Sequence, residues 1–479
     1  MAAESDLLHE FNEFGVSPGT EAIEKCLELM CRYGVTAENF VECWLGYSTT
    51  KLNGDCPTKE NLHTFDKEVL SREKFASKKP AAADSPIIHN ITTINQLYFH
   101  EKNGLGAVFC FLFEQILDIA STVASKLQIE DFSPNNKLQS EPFYTIGRIC
   151  CDAASGSRLN ASSLLLEGAR EHSSGQCVLL DVSQVNEYSF FPGQVAAVNG
   201  TNPTGKKVVV SSLITPPITP TPKTDADLPV PMNVMVACGP FSLQDDLDFT
   251  PMRDLIERIE NVQPHLVILL GPFLDARNKK IENAELDRTY QEEFDLFLDK
   301  LRPEIPSQVH VIIVPSWRDI HHLTVYPTPP FQPKKTQPNF HFFSDPCILN
   351  VNGVYIGLTS TDILFHLSKE EIAVAPQGSD RLGRCVSHLF SQRSFYPLHP
   401  PSEEMSVDLN RAEDYCKLPF VPHILLVPSD LHYFIKNVQG CVAINPERIV
   451  KGLSGGTFAR LQVTGAASSV QVKAEIVRI

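Results

Sequence analysis

Four segments decide how this chain reads: Ala237-Cys238-Gly239-Pro240, Gly271-Pro272-Phe273-Leu274-Asp275, Val314-Pro315-Ser316-Trp317-Arg318-Asp319 and Ser429-Asp430-Leu431-His432. Each follows an apolar, largely β-branched run: Val234-Met-Val-Ala, Leu266-Val-Ile-Leu-Leu, Val309-His-Val-Ile-Ile-Val and Ile424-Leu-Leu-Val. Such runs predict buried strands, and Gly353-Val-Tyr-Ile-Gly belongs with them. Helical stretches from Pro251 to Ile259 and from Glu285 to Leu301 alternate with the strands, so 232–479 reads as an α/β sandwich. Loops that gather at the carboxyl ends of parallel strands are where a site forms, so these four should meet.

Upstream of the sandwich, Thr215-Pro-Pro-Ile-Thr-Pro-Thr-Pro222 opens a stiff, extended connector over 215–231. Thr215, Thr219 and Thr221 each precede a proline, the dipeptide of proline-directed phosphorylation. Before the connector, 143–214 holds five short strand-like runs separated by Gly, Asn and Ser. They are Tyr144-Thr-Ile-Gly-Arg-Ile, Ser163-Leu-Leu-Leu-Glu-Gly, Cys177-Val-Leu-Leu-Asp-Val, Gln194-Val-Ala-Ala-Val-Asn and Lys207-Val-Val-Val. That density of strands predicts an OB-type β-barrel. Its aromatics, Phe143, Tyr188, Phe190 and Phe191, fall at strand edges, and the strands are otherwise aliphatic. A packing module fits this better than a stacking platform for single strands.

A helix over about Ala107 to Leu127 leads into the barrel across 107–142. Its apolar run from Leu105 to Ala120 is broken by Glu114 and Asp118, so it reads as a buried or partner-facing helix and not a membrane span. Residues 76–106 read as linker from the Lys, Pro, Ala and Ser of their first part. Residues 1–75 form a small helical unit. Leu7, Leu8, Phe11 and Phe14 begin it, Ile23, Leu27 and Met30 continue the spacing, Phe40, Val41 and Trp44 share one side, and Pro57-Thr58 starts a last helix.

The 479 residues exceed one ordinary core, in keeping with several domains. A hydrophobic content of 43% and a charged content of 20% describe a globular chain. The net charge of −16 argues against coating nucleic acid by phosphate neutralisation. Thirteen cysteines without a C-x-x-C pair predict separate reduced thiols rather than a zinc ribbon. The acidic start Met1-Ala-Ala-Glu-Ser-Asp lacks the basic region of a secretory signal.

The four strand-end segments resemble the metal-binding loops of calcineurin-type phosphoesterases with the ligands removed. In that family the first loop supplies Asp-x-His, where this chain has Cys238-Gly239-Pro240. The second supplies the Asp that bridges two metals, and Pro272 stands there without a ligand atom. The third, Gly-Asn-His-Asp in the family, is replaced by Ser316, Trp317, Arg318 and Asp319, setting an indole and a fixed positive charge where metal and phosphate would go. The fourth is matched by Ser429, Asp430, Leu431 and His432. Asp275, Asp319, Asp430 and His432 survive as possible ligands, with Asp319 expected to pair with Arg318 or to cap a turn. A two-metal centre needs a bridging carboxylate between cations about 3.5–4 Å apart, so the expectation is a degenerate site with no catalytic residue, metal or cofactor.

His321-His322 looks like a ligand pair but lacks partners at useful spacing, and in an extended segment the two rings would point apart. Gly452-Leu-Ser-Gly-Gly456 matches a nucleophile elbow, yet a strand-like run follows and no His or Asp comes after Ser454, so it reads as a turn.

Taken together the pieces resemble the B subunits of eukaryotic replicative DNA polymerases. The echoes are Leu166-Glu-Gly-Ala-Arg-Glu-His-Ser-Ser-Gly175 and Phe191-Pro-Gly-Gln-Val195 in the barrel. In the sandwich they are Val236-Ala-Cys-Gly-Pro240, Gly271-Pro-Phe-Leu-Asp-Ala276, Gly357-Leu-Thr-Ser-Thr-Asp362 and Gly455-Gly-Thr-Phe-Ala-Arg460. The order of parts is that of the branch working with DNA polymerase alpha and primase. The resemblance implies a non-catalytic, nuclear scaffold without a membrane role. Barrel and sandwich would hold the zinc-containing C-terminal domain of the catalytic subunit of DNA polymerase alpha and tether it to primase, with weak or indirect contact to nucleic acid. The helical unit would dock further replication factors. The alternatives are a B subunit of polymerase delta or epsilon, a working metallophosphoesterase, or a single-strand binder acting through the barrel. The family usually carries a longer Ser/Thr/Pro-rich linker than this chain has over 76–110.

Overall fold

The computed structural model describes residues 7–11, 16, 18–33, 37–52, 56–66, 88, 91–94, 107–152, 158–223, 228–466 and 469–479. Two compact units divide the chain, Met1–Ser85 and Pro86–Ile479. The first is helical: 7–11, then α1 (Thr20–Tyr33), α2 (Ala37–Lys51) and α3 (Lys59–Phe65). Thr58 starts α3, its hydroxyl accepting the Asn61 N–H at 3.3 Å. The apolar spacing read from the sequence puts Phe11, Phe40, Trp44 and Phe65 in one core, with Trp44 edge-on to Phe65 at 5.2 Å. Phe14 and most of the linker expected over 76–106 lie outside the described residues.

The second unit begins with β1 (Ile91–Thr93), which falls inside that expected linker but pairs antiparallel with a sandwich strand, Ile91 opposite Val351. Three residues give too little periodicity to predict a strand, so the pairing is decided by the neighbour. Helix α4 (Ala107–Leu127) follows and lays Ile116, Ile119 and Val123 on Ile146, Val195 and Ala197 of the barrel. No helix among the described residues is long and apolar enough to cross a membrane.

The barrel is built from β2 (Gln139–Cys151), β3 (Leu164–Gly168), a short α5 (Arg170–Ser173), β4 (Cys177–Asp181), β5 (Tyr188–Phe190), β6 (Val195–Asn202) and β7 (Lys207–Ile214). It closes in the order β2-β3-β4-β7-β6. The five expected runs are its five staves. Alternate residues such as Leu164, Leu166, Val178, Leu180, Val208 and Val210 fill the interior, as the two-residue period of a strand requires.

The sandwich consists of β8 (Leu228–Cys238), α6 (Thr250–Val262), β9 (Leu266–Leu270), α7 (Lys279–Glu282), α8 (Tyr290–Glu304), β10 (His310–Val314), β11 (Phe340–Phe342), β12 (Cys347–Val351), β13 (Val354–Leu358), α9 (Ile363–Glu370), β14 (Ile372–Val374), α10 (Arg381–Ser391), α11 (Leu409–Tyr415), β15 (Ile424–Leu426), β16 (Phe434–Val438), β17 (Cys441–Asn445), β18 (Val450–Lys451), β19 (Ser454–Gly455), β20 (Thr457–Ala466) and β21 (Ser469–Arg478). Two six-stranded sheets form, β11-β10-β9-β8-β20-β21 and β1-β12-β13-β15-β17-β16. Strands β8, β9 and β10 run parallel in the first sheet, and β13, β15 and β17 in the second. Every residue of β9 is buried, as a central parallel strand covered on both faces demands. One apolar layer lies between the sheets, a second under α6 and α8, and a third under α9, α10 and α11. Gly452, with φ +63°, makes the tight turn of the β18–β19 hairpin, so the elbow-like motif is indeed a turn.

Barrel and sandwich are joined by polar groups buried on both sides. Strand β5 pairs antiparallel with β14. Glu371, whose side chain is 1% exposed, accepts from the Ser189 hydroxyl of β5 at 2.6 Å and from Arg384 Nε and Nη2 at 2.7 and 3.0 Å. His388 Nε2 lies 3.2 Å from the same carboxylate. The Gln392 amide brackets one barrel residue, its oxygen accepting the Val195 N–H at 2.7 Å while its nitrogen donates to the Val195 carbonyl at 3.0 Å. Burial raises the Glu371 carboxyl, but donation from His388, Arg384 and Ser189 outweighs it and holds the group well below the usual carboxylate range.

A carboxylate depressed in this way stabilises the fold fully above its unfolded value of 4.5, and that contribution declines progressively as pH falls from there through the lower folded value. Glu371→Ala, which strands the Arg384 guanidinium, is therefore expected to lower stability by about 3–5 kcal/mol at pH 7. Urea denaturation of both proteins at pH 7 and pH 4 checks this. The gap should narrow at the lower pH, and a difference under about 1 kcal/mol at pH 7 would contradict the assignment.

Candidate functional site

The carboxyl ends of β8, β9, β10 and β15 converge as the sequence predicts, together with the turn after β17, on a cleft of about 340 Å³. The loops pack tightly there. A Cβ added to Gly239 would sit 1.9 Å from the Pro272 carbonyl oxygen, so the first loop can pass the second only as glycine.

Each carboxylate at this end is already occupied. Asp275 takes a two-pronged pair from Arg318, through Nε at 3.0 Å and through Nη2. Asp430 accepts Arg448 Nε at 2.9 Å, and Asp362, the N-cap of α9, lies 3.7 Å from Arg448 Nη2. Burial raises the Asp430 carboxyl, yet the Arg448 guanidinium holds it below its ordinary value. The remaining Arg448 nitrogen, Nη1, reaches the Cys238 sulfur at 2.9 Å beneath the cleft floor. Burial pushes that thiol up to about 11, against the pull of Arg448. Arg277 and Lys451 stand at the mouth, paired with Glu404 and Glu447.

Asp319 does something else. It is fully buried and accepts three backbone N–H groups, from Phe273 at 2.6 Å, Leu274 at 2.9 Å and Ser316 at 2.8 Å. It thereby ties the second loop to the third, and burial raises its carboxyl to about 7 despite these donors. The expected alternative of an Asp319–Arg318 pair does not form, because the guanidinium reaches across to Asp275 instead.

Two other expectations are corrected. The Trp317 indole is not in the cleft: it is half-buried against the apolar layer under α9, α10 and α11. His432 also points away, its side chain 78% exposed and Nδ1 at 3.4 Å from Glu447. Cys238 and Pro272 are buried beneath the cleft, while Pro240 lines it. His321 and His322 lie in a turn, so their rings do not diverge; both pack on Phe331, at 4.9 and 5.0 Å. Sequence reasoning missed Arg448, Asp362, Arg277 and Lys451. The signal for Arg448 was the run Val442-Ala-Ile444 ending in Asn445-Pro446, one more strand end.

Among the described residues no group of three or more His, Cys, Asp or Glu side chains is arranged to hold a metal ion. The residues at the strand ends do not fit a dinuclear centre. Pro272, at the end of β9, offers no ligand atom, and the carboxylates that could coordinate face guanidinium groups that stay charged at any working pH. The barrel offers no stacking platform from its named aromatics: Phe143, Phe190 and Phe191 are buried, and Tyr188 is half-buried against Phe190 at 5.7 Å.

Known proteins share this sequence along most of its length. Residues 234–436 match the family model for the B subunit of DNA polymerases alpha and epsilon. Residues 111–215 match the model for the OB domain of the DNA polymerase alpha B subunit, and 5–72 match the model for its N-terminal part. The DNA polymerase alpha B subunit of the rat (Rattus norvegicus) is 40% identical over 398 residues, covering 77% of this chain and 65% of its own. The DNA polymerase alpha B subunit of Schizosaccharomyces pombe is 32% identical over 423 residues, covering 83% of this chain and 73% of its own. The chain thus spans less than two thirds of the rat relative's length. Among solved structures, an archaeal phosphodiesterase aligns over 51% of this chain and all of its own at 11% identity and a TM-score of 0.25, too slight a likeness to carry an argument.

Asp319→Ala, which leaves three buried N–H groups without an acceptor, should cost about 3–5 kcal/mol. A thermal melt checks it, and an unchanged midpoint would remove Asp319 as the tie between the loops.

Proposed function

The chain belongs to the B-subunit family of DNA polymerase alpha, and from that premise we propose that it is a non-catalytic accessory subunit of the DNA polymerase alpha–primase complex, working in the nucleus. Barrel and sandwich together hold the zinc-containing C-terminal domain of the catalytic subunit and tether it to primase. The helical unit docks further replication factors.

The observation that carries the non-catalytic part is the pairing of Arg318 with Asp275 and of Arg448 with Asp430. A divalent cation entering the cleft would meet two fixed guanidinium charges at short range, in surroundings where water screens them little. Breaking the Arg318–Asp275 pair, whose side chains are both largely buried, leaves a charge alone at a cost of about 3–5 kcal/mol. The holding part is supported by the polar lock through Glu371 and Gln392. It makes barrel and sandwich one surface, and a rigid surface loses less on binding than two mobile ones.

The full chain is expected to co-elute on gel filtration with the C-terminal domain of the polymerase alpha catalytic subunit, and not with those of the delta or epsilon enzymes. It should also leave a model phosphodiester intact with added manganese. No complex with the alpha domain, or manganese-dependent turnover that Asp275→Ala abolishes, would overturn the reading.

A further inference from the structure

The first sheet of the sandwich ends on β21, whose ten residues pair with β20 along one side, from Arg478 opposite Thr457 to Ser469 opposite Ala466. Two contacts tell which backbone groups point the other way. The Ile479 N–H donates to the Gly456 carbonyl at 3.1 Å, and the Gln471 carbonyl accepts the Thr464 hydroxyl at 3.5 Å. Odd-numbered residues therefore turn their backbone toward β20, and in an antiparallel ladder the residues between them face outward. Val470, Val472, Ala474, Ile476 and Arg478 present N–H and C=O groups at the rim of the sheet, and among the described residues no strand pairs with them. An edge this long and regular is a template for another strand.

The side chains say which strand fits. Val470, Val472, Ala474 and Ile476 face the layer between the two sheets and are only partly buried there. The edge strand of the second sheet, β16, lies against β21. It adds Ile435, 38% exposed, which stands opposite Ile444 of the same layer. The apolar layer is thus open along this border. The other face of β21 carries charge: Lys473 and Glu475 are exposed, with Arg460 of β20 3.3 Å from Glu475.

A second β21 laid antiparallel and centred on Ala474 sets Lys473 opposite Glu475 of the second copy, twice over, and Val472 opposite its Ile476. Centring one residue earlier sets lysine against lysine, and one residue later sets glutamate against glutamate. Opposite charges across an antiparallel pair attract and like charges destabilise it, so charge favours the Ala474 register over both neighbours. Lysine on an edge strand deters pairing with most sequences. Glu475, two residues on, answers it when the incoming strand is a copy of this one.

We propose that the free edge of β21 binds the β21 of a second copy, antiparallel and centred on Ala474, joining two six-stranded sheets into one. Val472, Ile476 and Ile435 carry the apolar layer across the join. The pairing uses no residue of the strand-end cleft and stands independently of the scaffold reading. Where both hold, two polymerase–primase assemblies are set side by side. The net charge of −16 on each copy opposes the join, and salt at about 0.15 M screens that repulsion beyond about 8 Å.

The test is sedimentation velocity of the full chain at micromolar concentrations in such salt, with three variants that a thermal melt shows to be folded. Ala474→Pro removes the central outward N–H, at an edge position where proline is tolerated. Lys473→Glu sets carboxylates opposite each other, and Lys473→Glu combined with Glu475→Lys restores opposite charges in the same register. The native chain should dimerise, each single variant should dimerise at least tenfold more weakly, and the double charge variant should recover most of the loss. A native chain that stays monomeric overturns the proposal, as does a dimer that both single variants retain. Failure of the double variant to recover overturns the register and the proposal with it. A monomer whose binding to the C-terminal domain of the polymerase alpha catalytic subunit is lost in Ala474→Pro assigns the edge to a partner strand; this also overturns the proposal and leaves the scaffold reading standing.

Discussion

Carboxylates that converge at the ends of parallel strands need positive charge among them, and here arginine side chains supply it. Arg318 satisfies Asp275, while Arg448 reaches Asp430, Asp362 and the buried Cys238 sulfur. A metal ion would do the same electrostatic work but would depend on supply and on deprotonated ligands. A guanidinium is part of the chain and does not titrate in the working range. The arrangement ties loops from distant parts of the sequence together through charge pairs.

Asp319 ties loops without a charge pair. A carboxylate that could have been a ligand accepts three backbone N–H groups and fastens two loops. At the barrel, Glu371 is buried where Ser189, Arg384 and His388 meet it, and Gln392 completes the junction through the Val195 backbone. Buried polar groups of this kind cost much when half-satisfied and little when fully satisfied, so each fixes one arrangement against its alternatives. What results is a broad, stiff surface made of two folds, the property a scaffold requires.

Much of the fold was legible because it follows from period and composition. The central strands announce themselves in runs such as Leu266–Leu270, all of which is buried, and the barrel staves in alternating aliphatics. Strands β1 and β11 were not legible, since three residues carry no period and their pairing is decided by the neighbour they meet. At the cleft, local reading placed Arg318 at the strand ends and offered it the adjacent carboxylate as one of two roles for Asp319, whereas the structure gives Arg318 the carboxylate of Asp275, 43 residues away. Arg448 and Cys238 are 210 residues apart, a pairing no spacing argument reaches. The Trp317 indole turned into the core for the same reason: which way a loop side chain faces depends on the apolar layer it finds, here the one under α9 to α11.

On the proposed reading, guanidinium groups supply the charge that cations would otherwise bring, and crystals of the full chain soaked in manganese and measured at the manganese absorption edge test this most directly. No anomalous peak is expected within coordination distance of Asp275 or Asp430, with both arginine pairs intact. Two ordered peaks between those carboxylates, with Arg318 and Arg448 swung aside, would contradict it.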